Sequence, residues 1–131
     1  MSIVVDASVL VAAVVDCGAA GEWVEAILSR DFLLAPHLLP VEATNVLRHL
    51  KSGGKLNRLE AAAAAQDVAQ LEIQLLPFAP FAARVWELRR NLSSYDAWYV
   101  AIAEQFATVC ATLDRRLAKS SGPTCKFLLP P

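Results

Sequence analysis

Two rhythms of apolar and polar positions alternate along this chain. Short β-branched or leucine-rich runs at Ile3–Val5, Phe32–Ala35, Glu72–Leu76 and Val109–Thr112 have the length of buried strands, and each is followed within two residues by an acid or a proline. Between them lie segments with helical character. These begin at Ala7 up to a break at Asp16-Cys17-Gly18, then run over about Ala19–Arg30, about Leu39–Lys51 with Gly53-Gly54 beyond, and from Asn57 as cap through Leu71. They continue over about Pro80–Asn91, Ser94–Ala107 and Arg115–Lys119. Cys125–Leu129, ahead of Pro130-Pro131, reads as a further edge strand. Strands alternating with helices predict a central parallel sheet of four to five short strands covered on both faces. Without repeats or a compositional break, residues 1–131 read as one domain. Ligands of such sheets bind at the carboxyl ends of the strands, where Asp6 and Asp114 fall.

Four acids stand in settings where an acid is awkward. Asp6 and Asp114 end apolar strands and open helices, so each is explained equally well as a helix N-cap. Two such caps at one edge of one sheet would also bring two carboxylates to a shared crevice. Glu42 lies on the border of the stripe formed by Ala43, Val46, Leu47 and Leu50 when positions are laid out at about 100° per residue. Asn45 and His49 share that border, and Arg48 is on the far side. Asp96 fits the capping pattern Ser93-Ser94-Tyr95-Asp96, yet it opens the apolar helix Ala97-Trp98-Tyr99-Val100-Ala101-Ile102-Ala103. Converging carboxylates would repel one another unless a cation were present, and a hard divalent metal is the simplest remedy.

Composition narrows the class. The chain is unusually apolar, with 56% hydrophobic residues and a mean hydropathy of +0.41. Apolar surface is therefore expected to face a partner chain, and residues such as Ala82, Val85, Trp86 and Leu88 predict a homodimer. The formal net charge of −1 does not mark a nucleic-acid binder. Setting the four special acids aside, however, leaves 12 Lys and Arg against nine acids. The basic groups cluster at Arg48, Lys51, Lys55 and Arg58, at Arg84, Arg89 and Arg90, and at Arg115, Arg116 and Lys119, patterns that solvated helix faces also produce. Cys17, Cys110 and Cys125 lack metal-ligand spacing and read as reduced thiols of a cytoplasmic protein. No membrane span and no export signal is read, because the apolar start carries no Lys or Arg and Asp6 interrupts it. His37 and His49 do not make a zinc pattern, the glycines form neither a dinucleotide nor a P-loop signature, and no serine lies in a nucleophile elbow. Trp23, Trp86 and Trp98 read as core or interface residues.

The segments Ile3-Val4-Val5-Asp6-Ala7-Ser8-Val9-Leu10, Glu42-Ala43-Thr44-Asn45-Val46-Leu47, Ser94 through Ala103 and Thr112-Leu113-Asp114-Arg115-Arg116-Leu117 resemble, in order and spacing, the motifs of PIN-domain ribonucleases. The likeness is greatest to the VapC-type toxins of bacterial toxin–antitoxin pairs and covers essentially the whole chain. It implies a three-layer α/β/α PIN-like fold and a metal-dependent endoribonuclease in which Asp6, Glu42, Asp96 and Asp114 bind Mg²⁺ or Mn²⁺. Ser8 and Thr112 match hydroxyl positions that order such a site, and Asn45 matches a polar neighbour. Asp96 being followed by Trp98 is expected to narrow the pocket.

Phosphodiester hydrolysis needs an activated water and positive charge at the phosphoryl oxygens, both of which a carboxylate-held divalent ion supplies. Asp6, Asp96 and Asp114 are then ligands, directly or through water. Glu42 is a ligand or orients the attacking water, and Arg115 and Arg116 are candidates for flanking phosphates. The resemblance also implies a cognate VapB-like antitoxin.

Rival readings are an aspartyl-phosphate phosphatase, which needs an acid where this chain has Ser8, and a receiver domain, which wants paired acids before its first helix. A non-catalytic interaction module would use the same acids only as caps.

Overall fold

A computed structural model describes residues 1–15, 18–29 and 32–131. Its elements follow the order β1 (Ser2–Val5), α1 (Ala7–Val15), α2 (Ala19–Leu28), β2 (Phe32–Pro36), α3 (Leu39–Ser52), α4 (Arg58–Gln70) and β3 (Gln74–Leu76). A 3₁₀ turn at Ala79–Phe81 then leads into α5 (Ala82–Glu87), α6 (Ser94–Gln105), β4 (Cys110–Ala111), α7 (Arg115–Ala118) and β5 (Phe127–Leu128). The expected break at Asp16-Cys17 and the end of the second helix at Arg30 lie outside the described residues.

Among the described residues all four strand pairings are parallel, in the order β3-β2-β1-β4-β5. The chain moves outward from β1 to β2 to β3, then returns across the sheet to β4. Because parallel crossovers are right-handed, this reversal puts the helices of the two halves on opposite faces. The contacts agree: α1 packs with α2, α3 and α4, while α6 lies across β2, β1 and β4 and is backed by α5. The reversal makes the β1/β4 boundary the topological switch point, where the strand ends splay and a crevice opens.

Central β1 is apolar because it is covered on both faces, with Val4 and Val5 fully buried. The edge strands β3 and β5 are shorter and only partly buried. Around β4, hydrogen bonding continues past the paired residues, the Val109 carbonyl accepting from the Val4 amide at 3.0 Å and the Leu128 carbonyl from the Thr112 amide at 3.0 Å. Among the described residues, no single helix is long and apolar enough to cross a membrane.

Three expectations need correcting. Pro36 does not stop β2 but is its last residue, opposite Leu76; the sheet needs no amide from it there, and the next donor, the His37 amide, reaches the Leu76 carbonyl at 3.0 Å. Val46, expected in the buried stripe of α3, is 39% exposed. Val85 and Leu88, offered as dimer surface, are buried in the chain's own core, because the short α5 must cover α6. Of that set Trp86 stays open, with the Arg89 guanidinium 4.4 Å from its ring centroid.

Helix α6 ends in a Schellman motif. The Thr108 amide donates to the Ala103 carbonyl at 2.9 Å and the Ala107 amide to that of Glu104 at 3.2 Å, with Ala107 left-handed at φ 52°. A Cβ is unfavourable there. Ala107→Gly is therefore expected to stabilise the fold by roughly 0.5–1 kcal/mol, the steric relief exceeding the entropy of the added glycine. Chemical denaturation at constant m-value checks this, and an unchanged or lower midpoint counts against it.

Candidate active site

The site begins with the β1/β4 register. Val5 pairs with Ala111, so the next residues, Asp6 and Thr112, meet side by side where the strands end. Asp6 turns the chain into α1 and caps it, its Oδ1 accepting from the Val9 amide at 3.1 Å and from the Ser8 hydroxyl at 2.5 Å. The Thr112 hydroxyl donates to Oδ2. Each hydroxyl also accepts a backbone bond from the facing loop, Ser8 from the Leu113 amide and Thr112 from the Asp114 amide, both at 3.0 Å. Two hydroxyls thus lock the Asp6 carboxylate to the loop that carries Asp114. Burial pushes the Asp6 carboxyl above its usual range, and the bonds from Ser8, Thr112 and the backbone only partly offset that.

Asp114 caps α7 through Oδ1, which accepts from the amides of Arg116 at 2.9 Å and Leu117 at 3.2 Å. Asp96 stands in the first turn of α6, its amide bonded to the Ser93 hydroxyl at 3.2 Å. Its carboxyl is raised by burial, then by the charges of Asp114 and Asp6, against a smaller opposing effect of Arg116. Glu42, in the first turn of α3, is likewise raised by burial and by Asp96 and Asp6, while a hydrogen bond from Tyr99 pulls the other way. Asp6 and Asp114 thus stand beyond the carboxyl ends of β1 and β4, and Asp96 and Glu42 lie close enough to feel the Asp6 charge.

They do not converge as tightly as expected. Among the described residues, no three Asp, Glu, His or Cys side chains stand close enough together to hold one ion. The single metal-sized cluster foreseen for Asp6, Asp96 and Asp114 is therefore not how these side chains lie. Local donors hold Asp6 and Asp114 at their caps, and like charge bears on Asp96. The donor set nevertheless fits Mg²⁺ or Mn²⁺. It is all oxygen and anionic, and Mg²⁺ keeps several waters while binding directly to only one or two carboxylates.

The other anticipated residues sort themselves. Arg116 is near enough to Asp96 to oppose the rise of its carboxyl, whereas Arg115 reaches the Pro130 carbonyl at 3.4 Å. Asn45 is exposed and lines a groove with Pro40, Val41, Thr44 and Arg48. Trp98 does not narrow the site: two residues on from Asp96, it points to the other side of α6 and meets Phe78 edge-on at 5.3 Å. Cys110 is buried and Cys125 half-buried, both free, and burial pushes the Cys125 thiol to about 11. Cys17 is outside the described residues. The residue missed from sequence is Tyr99, whose hydroxyl donates to Glu42 Oε1 at 2.9 Å. It lies three residues after Asp96, on the same helix face, but in a helix apolar on nearly every side that spacing does not set it apart from the core.

Arg84, counted above with the basic groups, belongs to the frame. Its Nε and a terminal nitrogen bind Glu104 at 2.6 and 3.1 Å, and Glu104 also accepts from the Thr124 amide at 2.7 Å. Burial favours the protonated Glu104, but these bonds outweigh it and lower its carboxyl below the usual range. The stability Glu104 contributes is therefore complete above the ordinary carboxylate range and is lost as pH falls through its lowered folded value. Glu104→Gln should lower the melting temperature at pH 7 and reduce the acid-side loss of stability, measured by melting across pH. Equal pH profiles for the two proteins would contradict this.

A family model described as PIN domain matches residues 3–122. The chain belongs to that family, and its relatives place it among the VapC ribonucleases. Ribonuclease VapC9 of Mycobacterium tuberculosis is 35% identical over 129 residues, 98% of each chain. PAE2754 from Pyrobaculum aerophilum, a crystal structure, superposes with a TM-score of 0.70 at 25% identity, over 97% of this chain and 83% of that one. VapBC2 from Rickettsia felis, solved with a DNA fragment from its promoter, superposes at 0.69 with 12% identity over 98% of both chains, a likeness of fold.

Proposed function

We propose that this chain is a Mg²⁺- or Mn²⁺-dependent endoribonuclease and the toxin of a toxin–antitoxin pair, acting through Asp6, Glu42, Asp96 and Asp114. The observation that carries the reading is the hydrogen-bonded joint at the β1/β4 switch point, where Ser8 and Thr112 tie the Asp6 carboxylate to the loop that bears Asp114. Structural caps alone do not require that juxtaposition.

Asp6, Asp96 and Asp114 would hold the ion, directly or through water, and Glu42 would hold it or orient the attacking water. When bound, a divalent ion lowers the pKa of water and offsets charge on the phosphoryl oxygens. Ser8 and Thr112 keep the Asp6 carboxylate from rotating, because each of its oxygens already accepts a hydroxyl. Arg116, whose charge opposes the rise of the Asp96 carboxyl, would receive a flanking phosphate. No protein nucleophile is required, because the attacking group is a water.

An anionic crevice of this kind also suits a guanidinium, which pairs with carboxylates bidentately. The antitoxin is therefore proposed to be VapB-like and to direct a basic side chain at the acids, so that its inhibition competes with metal. A homodimer is also proposed, its apolar contact lying outside α5's buried face. Sedimentation showing only monomer at micromolar concentration would count against the dimer. The enzymatic reading is tested by growth. Expression of the chain should arrest cells, co-expression of a cognate antitoxin should relieve the arrest, and Asp6→Asn should be harmless. Equal toxicity of Asp6→Asn would favour the interaction-module reading instead.

A further inference from the structure

We propose that Tyr99 is a positioning residue of the site: its buried hydroxyl holds one oxygen of Glu42 so that the other is presented to the acidic crevice. This rests on the nuclease reading above and assigns a role to a residue that sequence motifs pass over.

Glu42 is poorly restrained by everything else. It is half-buried at the start of α3, and the charges of Asp96 and Asp6 repel it. Among the described residues no cation lies within ion-pair distance of it. Three rotatable bonds would let the carboxylate swing to solvent, away from the like charges. Tyr99 opposes this. Its ring is 2% exposed, packed in the helix that crosses β2, β1 and β4, and therefore fixed in direction. Its hydroxyl donates to Oε1 at 2.9 Å.

The geometry is more than packing. A phenylalanine would fill the same space, and a buried phenol without an acceptor would be costly. Tyr99 and Asp96 lie on one face of α6, three residues apart. One helix thus carries both an acid of the site and the tether for another acid that arrives from α3.

The test compares wild type, Tyr99→Phe, Glu42→Gln and the double variant in cleavage of a labelled RNA, together with the rise in melting temperature on adding Mn²⁺. Tyr99→Phe is expected to lower kcat roughly 10- to 100-fold, as loss of an outer partner of a metal ligand does. KM for RNA should change less than about twofold, since no contact to the RNA is removed. The Mn²⁺-induced melting shift should shrink, and the double variant should be no slower than Glu42→Gln alone, because Tyr99 acts through Glu42. A Tyr99→Phe protein with wild-type kcat and an undiminished Mn²⁺ shift overturns the proposal. So does a double variant whose losses multiply. If wild type binds Mn²⁺ but cuts no RNA, the nuclease reading fails while the melting shift still decides the role of Tyr99, an equal shift in both proteins refuting it and a smaller one in Tyr99→Phe supporting it.

Discussion

Asp96→Asn is expected to abolish RNA cleavage while raising the melting temperature. Both effects come from one charge. The Asp96 carboxylate is held above its ordinary range by burial and by Asp114 and Asp6, so the folded protein is destabilised by keeping it ionised, and a neutral isostere removes that penalty. Arg116 loses an attractive neighbour in the exchange, but its influence is the smaller one. Catalysis depends on the same charge, as an acid placed to hold the ion or its water. Losing such a group should cost more than the roughly 100-fold typical of its outer partners. The signature is opposite signs, lower activity with greater stability, and it separates this protein from one in which Asp96 serves only its helix. A structural role alone would make the variant less stable. Melting and single-turnover cleavage of the purified variant measure the two halves independently.

Thr112→Val should do the reverse to stability. The side chain is fully buried, and valine matches its shape. Removing the hydroxyl leaves Asp6 Oδ2 without its donor and the Asp114 amide without its acceptor. Unsatisfied buried groups of this kind cost about 1–3 kcal/mol. Because Thr112 joins two acids of the site, cleavage should also fall by roughly 10- to 100-fold. Thr108→Val is a useful control. Its hydroxyl bonds the Ser2 carbonyl at 2.5 Å at the opposite end of β1, so it should lower stability and leave cleavage near wild type. Equal activity losses in the two variants would mean that Thr112 acts through general stability.

The contrast between legible and illegible features is physical. Asp6 and Asp114 were visible because strand and helix have different periods, and the residue at the change of period sits at the end of the sheet. Their being neighbours was also within reach, since alternating elements imply a parallel sheet and its ligand edge. What single-residue patterns do not carry is direction around a helix packed on both sides. In α6 nearly every position is apolar, so the one phenol that turns its hydroxyl toward Glu42 looked like more core. The same limit misassigned Val85 and Leu88, whose apolar character was read as partner surface when the sheet's own cover needed it. Trp98 was misjudged because closeness in sequence to Asp96 was taken as closeness in space. Ala107 left no signal at all, because the Schellman turn is set by how α6 must end to begin β4, and alanine is not the residue that announces it. The spacing of the carboxylates is a different matter. The sequence leads one to expect a single tight cluster, but cap hydrogen bonds fix where the Asp6 and Asp114 carboxylates rest, and Tyr99 fixes that of Glu42.

The most direct measurement is cleavage of a labelled RNA by the purified chain, with Mg²⁺ or Mn²⁺ titrated from a chelated baseline and Asp6→Asn run beside it. Cleavage should be absent in chelator, rise and saturate with the added ion, and stay absent at every concentration in Asp6→Asn. Undiminished cleavage in chelator, or cleavage by Asp6→Asn equal to that of wild type, would contradict a carboxylate-held metal as the source of the activity.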